Sequence, residues 1–346
     1  MNQKTVLLLF GGESSEHEVS INSARNVYAA IDNEKFNVVL GFIDKSGKWW
    51  LMLSFDDEIN TDNLSQILPN LGEASFISSL DGKIIKPDVI LPILHGKNGE
   101  DGAIQALAVL LHIPIVGCDM TSSAICMDKV ASKQIAAAND IPVVEYVIHR
   151  SYDLLPDFTK LQKKLSKSLF VKPSRAGSSL GASKVNNVQE LDRALKLAHQ
   201  HDDVVLIERC IVPRELEVAI LGNVPHHIAS GIGEIKSEGN FYSYETKYSK
   251  DASFGSTTSA DIDKKTAKKI RDYALKIFTV LGCRGLSRVD FFLTKENELY
   301  FNEINTLPGF TNISMYPKLW QASGMAYPEL IEKMIILALE PVDNNQ

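Results

Sequence analysis

Short apolar runs alternate with amphipathic stretches over the first third of the chain. Val6–Phe10, Val38–Ile43, Val89–Leu94 and Ile113–Val116 are apolar runs of strand length, and 19–31 and 102–112 carry apolar residues at helical spacing. Near-continuous apolar strands are buried on both faces, and strands alternating with helices predict a parallel α/β sheet. Further on, the pattern predicts a long helix over 121–139, a strand after Pro142, and strands at Val204–Ile207 and Leu216–Gly222. Helices follow at 261–281 and 326–339.

The most informative stretch comes late. Residues 288–293 and 298–303 are rich in Val, Phe, Leu and Tyr, and Lys295-Glu296-Asn297 between them marks a tight turn. A turn centred between Glu296 and Asn297 places Asp290 opposite Glu303, with Asn305 on the same face. Directly opposed side chains lie about 4.5–5.5 Å apart at Cβ, so the two carboxylates repel. A bound divalent cation removes that penalty. Three oxygen ligands without Cys or His suit Mg²⁺ or Mn²⁺. The bland alternative is a surface hairpin with scattered acids, and a slip of one residue would undo the arrangement.

Ligands of parallel sheets bind beyond the carboxyl ends of the strands. Two polar stretches follow such strands, Gly11-Gly-Glu-Ser-Ser-Glu16-His-Glu-Val-Ser20 and His95-Gly-Lys-Asn-Gly-Glu-Asp-Gly102. Neither contains the G-x-G-x-x-G of a dinucleotide site. Their acids suit an ammonium group instead, and Asp101 is also placed to cap the helix that follows.

Residues 169–185 read as strand, glycine loop, strand. Gly177 and Gly181 let the backbone bend over a ligand, and loop N–H groups with Ser178 and Ser179 can bond phosphate oxygens. The loop lacks the Gly-Lys-Ser/Thr end of a Walker A motif. Lys172 lies inside the apolar strand, where a buried lysine needs an anionic partner. Glu208-Arg209-Cys210-Ile211 resembles a hinge whose backbone meets a purine ring. Residues 249–260 are small, polar and glycine-containing, which suits a lid.

Composition narrows the class. The 346 residues, 45% hydrophobic, support two or three domains. A net charge of −7 without a basic run gives no reason to expect nucleic-acid binding. No apolar stretch approaches the roughly 20 residues of a membrane span, and nothing resembles a signal peptide. Cys118, Cys126, Cys210 and Cys283 lack metal-type spacing, so reduced thiols in a cytoplasmic protein are expected.

Together these stretches resemble the D-alanine–D-alanine ligases of the ATP-grasp superfamily. The resemblance rests on Glu16-His-Glu-Val-Ser, His95-Gly-x-x-Gly-Glu-Asp-Gly, Met127-Asp-Lys, Val171-Lys-Pro-Ser, Gly177-Ser-Ser-x-Gly, Arg288-Val-Asp, Asn302-Glu-Ile-Asn and Pro308-Gly. These motifs span nearly the whole chain in the family's order. The resemblance implies a three-domain α/β ATP-grasp fold: an N-terminal parallel α/β domain over 1–120, a central subdomain over 121–208 and a C-terminal subdomain over 209–346. It implies that ATP phosphorylates one D-alanine and that the amine of a second attacks the acylphosphate, yielding a peptidoglycan precursor. A homodimer is implied as well.

Roles are implied residue by residue. Asp290, Glu303 and Asn305 hold two Mg²⁺ or Mn²⁺ ions. Lys129, Lys172 and Lys247 contact phosphates, with Ser179 beside them. Glu208, with the backbone of Cys210 and Ile211, holds adenine, and Glu215 holds the ribose. Arg209 stands where many relatives carry lysine beside the adenine. Glu16, with Ser178 and Tyr248, binds the first D-alanine's ammonium group, and His95 lies near that substrate. Arg288 and the Gly309 N–H form an oxyanion hole. Ser314 and Met315 hold the second D-alanine's carboxylate. Tyr248 favours an amine acceptor. The alternatives are a ligase taking D-lactate or D-serine, and a non-catalytic nucleotide-binding protein.

Overall fold

The computed structural model describes residues 3–55, 59–236 and 255–341. The first apolar runs form β1 (Lys4–Gly11), β2 (Phe36–Ile43) and β7 (Val89–Ile93), parallel in the order β2-β1-β7. Helices α1 (His17–Ala30) and α2 (Ala103–Leu111) fall on the predicted amphipathic stretches. Alternation along β1 explains its unbroken apolar run. Val6, Leu8 and Phe10 share a core with Ala24 and Val27 of α1, whereas Leu7 and Leu9 share one with Ile104, Ala108 and Leu111 of α2.

The sheet is mixed. Four short strands, β3 (Trp49–Met52), β4 (Ser65–Asn70), β5 (Ser75–Ser78) and β6 (Ile84–Ile85), extend it antiparallel beyond β2. Residues 113–116 make only a single parallel bridge, Ile90 to Ile115.

The expected helix over 121–139 is two helices, α3 (Met120–Met127) and α4 (Lys129–Ala138). Asp128 breaks it. Its backbone is extended, and its side chain accepts from Val130 N and Ala131 N, so it caps α4 rather than continuing α3. Lys129 thereby opens a helix. Its N–H donates to Ser174 O and the Ser174 hydroxyl donates to Asp128, tying α4 to the glycine loop.

A four-stranded antiparallel sheet follows, ordered β10-β9-β11-β8, from β8 (Tyr146–Arg150), β9 (Leu169–Pro173), β10 (Ser183–Val185) and β11 (Val204–Arg209). Helices α5 (Phe158–Lys164) and α6 (Val188–Ala198) pack on it. The third sheet runs β14-β13-β12-β15-β16: β12 (Arg214–Gly222), β13 (Ile228–Lys236), β14 (Gly255–Thr257), β15 (Gly285–Leu293) and β16 (Leu299–Asn305). Strand β14 occupies part of the stretch read as a lid; residues 249–254 lie outside the described residues.

Helix α7 (Lys264–Val280) covers this sheet, and α8 (Met315–Ala322) and α9 (Tyr327–Leu339) lead back to the first. Leu330, Ile331, Met334 and Ile335 of α9 join the same core as β1 and α1, so the end of the chain closes the beginning. All four cysteines are free thiols, and the fold brings Cys126 and Cys283 within 3.5 Å.

Candidate active site

The β15–β16 hairpin pairs Asp290 with Glu303 and Arg288 with Asn305. The route to that pairing differs from the expected one. Phe291 pairs with Phe301, Phe292 with Tyr300 and Leu293 with Leu299, which centres the turn on Glu296. Continued regularly, that register would set Asp290 against Asn302. A bulge at Asn302 shifts it by one residue. Consecutive Asn302 and Glu303, both partly exposed between buried Phe301 and Ile304, therefore share the cleft face.

Charge on this face is compensated within the protein. Arg288 donates from Nε and a terminal nitrogen to both Asp290 oxygens at 2.8 and 2.7 Å, and lies 3.4 Å from Glu217 Oε1. Burial works against its charge, but Asp290, Glu217 and Glu303 outweigh it and hold the guanidinium protonated well above its usual range. Lys129 Nζ lies 3.1 Å from Glu303 Oε2 and donates to Ala176 O at 2.8 Å. The repulsion that pointed to a cation is thus offset by Arg288 and Lys129. Asn305 Oδ1 accepts from Leu307 N at 2.9 Å. Two carboxylates and an amide oxygen on neighbouring strands remain a donor set suited to a hard cation. Among the described residues no group of three or more His, Cys, Asp or Glu could hold a metal ion.

The four-stranded sheet supplies a second charged layer. Lys172 Nζ lies 2.9 Å from Glu208 Oε2 and donates to Asn302 Oδ1 at 3.2 Å, which answers the need of a buried lysine for an anion. Lys133, which the sequence reading passed over, lies 3.0 Å from the other Glu208 oxygen. Its position four residues beyond Lys129 was the available signal. Arg209 donates to the Tyr300 hydroxyl at 2.7 Å and lies over its ring, bridging two sheets. Cys210 N donates to Ser168 O; Ile211 is half-buried and Glu215 exposed on β12.

In the glycine loop Gly181 takes a positive φ of 69°, but Ser178 and Ser179 carry φ of 51° and 59°. Left-handed backbone at two consecutive serines is held strain of the kind found at ligand loops. The Ser178 hydroxyl donates to Glu16 Oε1 at 2.8 Å, joining this loop to the first sheet. Glu16 stands at the N-cap of α1 and makes no side-chain cap bond there.

His95 is buried nearby. Its Nδ1 donates to Leu307 O at 3.1 Å, because a carbonyl can only accept, which leaves Nε2 to accept from Ser23 Oγ at 3.4 Å. Burial lowers its pKa against the opposing pull of Glu16, so the ring is neutral. Glu100 is the reverse case and was not singled out. Burial first, then the charge of Glu16, pushes its carboxyl up to about 8. Asp101 accepts from Ala103 N, though Gly102 is the capping position. The two polar stretches line a cavity of ≈ 170 Å³ with Ile43, Trp49, Leu94 and Ile104.

Beyond the hairpin, a Cβ on Gly309 would lie 2.8 Å from Ser314 Oγ, so a side chain there would force the Ser314 hydroxyl to move. Ser314 opens α8, and its hydroxyl accepts from Thr311 N. Met315 is buried, leaving its backbone N–H at the helix N-terminus as the group available to an anion. Lys247 and Tyr248 lie outside the described residues.

Comparison with known proteins adds a second line of observation. Residues 5–118 match a family model described as D-ala D-ala ligase N-terminus, and 135–336 one described as D-ala D-ala ligase C-terminus. A D-alanine--D-alanine ligase of Proteus mirabilis is 43% identical over 355 residues, covering 98% of this chain and 96% of the relative. The D-alanine-D-alanine ligase of Coxiella burnetii superposes with a TM-score of 0.88 at 36% identity, covering 98% of this chain and 94% of its own. The VanG D-Ala:D-Ser ligase of Enterococcus faecalis also gives 0.88 at 36% identity, covering 97% and 100%.

Proposed function

The chain belongs to the D-alanine–D-alanine ligase family, and on that premise we propose a role for each group around the β15–β16 hairpin. The fold is the three-domain ATP-grasp arrangement, and the reaction is ATP-dependent joining of two D-alanine molecules. A D-alanine carboxylate oxygen attacks the γ-phosphorus of ATP and ADP leaves. The amine of the second D-alanine then attacks the acyl carbon, and phosphate leaves with the dipeptide formed. The product serves peptidoglycan synthesis.

One observation supports the assignment of roles above the rest. Ser178 to Glu16, Lys172 to Asn302 and His95 to Leu307 each link a strand or its following loop in one sheet's region to that of another, and Lys129 of α4 reaches Glu303, so the three sheets converge on one cleft. Glu16 holds the ammonium group of the first D-alanine, oriented by Ser178 and, in the proposed assignment, Tyr248. Neutral His95 packs beside that substrate without adding charge. Lys129, Lys172, Lys247 and Ser179 take the phosphates as point charges and hydrogen bonds. Glu208 and the 210–211 backbone take adenine, Arg209 flanks it, and Glu215 takes the ribose.

Arg288 and the Gly309 N–H stabilise the oxyanion of the tetrahedral intermediate. The N-terminus of α8, at Ser314 and Met315, takes the carboxylate of the second D-alanine. Asp290, Glu303 and Asn305 would hold Mg²⁺ or Mn²⁺, which shields the phosphate charge that repels an attacking carboxylate.

The proposed segments 1–120, 121–208 and 209–346 each centre on one of the three sheets, although α3 and α4 of the second pack on β16 and α7 of the third and reach the four-stranded sheet through Lys133. A cytoplasmic homodimer completes the proposal; no described helix is long and apolar enough to cross a membrane. The test is isotopic. D-Alanine labelled with heavy oxygen in its carboxylate should pass one labelled oxygen to the released phosphate. Phosphate carrying no label would overturn the carboxylate-activation reading.

A further inference from the structure

Lys129 and Lys133 leave the same face of α4 but end in different surroundings. Lys129 reaches the metal-type hairpin and the glycine loop. The Lys133 side chain is fully enclosed, and its ammonium meets Glu208 Oε1 as an ion pair whose angle falls short of a directed hydrogen bond. Lys172 holds the other oxygen of the same carboxylate, and it alone of this pair also touches the hairpin, at Asn302.

Two cations on one buried anion is more than neutrality requires. The Glu208 side chain is 4% exposed. A buried carboxylate whose cation is removed is strongly destabilised. Were Lys172 its sole partner, drawing that ammonium to a phosphate would strand the carboxylate. With Lys133 in place, Glu208 remains paired while Lys172 moves.

We propose that Lys133 is a positioning residue for nucleotide binding: as the permanent counter-ion of Glu208, it frees Lys172 to engage the polyphosphate. The inference rests on the nucleotide role proposed for Lys172. Its charge state agrees. Burial, with the nearby Lys172 charge, brings the Lys133 ammonium down to about 8 against the pull of Glu208, so the pair stays ionised at neutral pH. Glu208 itself is held below the usual range by the two lysines, which outweigh its burial.

The test compares two ligands that differ only in phosphate. In Lys133→Met, Lys172 becomes the only cation on Glu208 and is retained there. Calorimetric Kd for ADP should weaken at least about tenfold while that for adenosine stays within about threefold. In steady state, KM for ATP should rise while KM for D-alanine holds. Lys133→Arg, which keeps the cation, should retain most of the wild-type ADP-to-adenosine ratio. Equal weakening for both ligands would mark a merely structural lysine, and no weakening would remove the role; either overturns the proposal. Should Lys133→Met fail to fold, Lys133→Gln reads the same ratio with a hydrogen-bond donor but no charge. Wild-type protein that bound no ADP would instead defeat the nucleotide reading on which this rests.

Discussion

In β1, neighbouring residues face opposite cores: Leu7 and Leu9 toward α2, and Val6, Leu8 and Phe10 toward α1 and α9. In β16, neighbouring Asn302 and Glu303 face the same cleft, because a bulge breaks the alternation between them. Strand β1 is held by area. Any apolar side chain of the right size serves on either face, and pairing with β2 and β7 fixes its place. The hairpin is held by identity. Asp290 meets Arg288 two residues away on the same strand face, and Glu303 stands beside Asp290 and within reach of Lys129 only in a register that one residue would change. The first region carries stability and tolerates substitution chemically; the second carries chemistry and tolerates little.

That contrast can be broken by substitution. Arg288→Lys keeps the charge but loses the two-pronged grip on Asp290, and kcat should fall on the order of 100-fold. Steady-state phosphate release measures this, and a loss below tenfold would mean the guanidinium fork is dispensable. Leu8→Ala should do the opposite. It should lower stability by about 2–5 kcal/mol in denaturant titrations while kcat per folded molecule is unchanged. A matching loss of kcat would show that β1 is not merely a scaffold.

The smallest effect sharpens the electrostatic side. The folded-state carboxyl of Glu100 is raised from 4.5 to about 8, so between those values the native chain binds the extra proton. Its contribution is therefore fully present below 4.5 and lost as pH rises toward 8. Glu100→Gln removes that dependence. The melting temperature of the variant relative to wild type should climb between about pH 5 and 8. A difference flat across that range would place the Glu100 proton elsewhere.

Strands and helices with long periodic patterns were legible in the sequence: β1, α1, α2, the hairpin and α7 all form where the apolar spacing placed them. The antiparallel extension β3–β6 was not, since its strands are only two to six residues long, too short to establish a period. The break at Asp128 was missed because periodicity continues across it, and only the cap bonds and the Ser174 partner reveal it. In the hairpin the Asp290–Glu303 pairing was legible but the bulge was not: an offset turn centre and an extra residue cancelled at the site. Lys133 stayed hidden because its partner Glu208 lies 75 positions away on β11, so the spacing from Lys129 gives its helix face but not its partner.

The measurement that bears most directly on the central claim is product analysis with purified chain, ATP and Mg²⁺. D-Alanine, L-alanine, and D-alanine mixed with D-lactate or D-serine would be compared by phosphate release and product mass. The account predicts D-alanine-dependent phosphate release matched one to one by D-alanyl-D-alanine, with no turnover on L-alanine. Phosphate released only with D-lactate or D-serine, giving the mixed product, would contradict it.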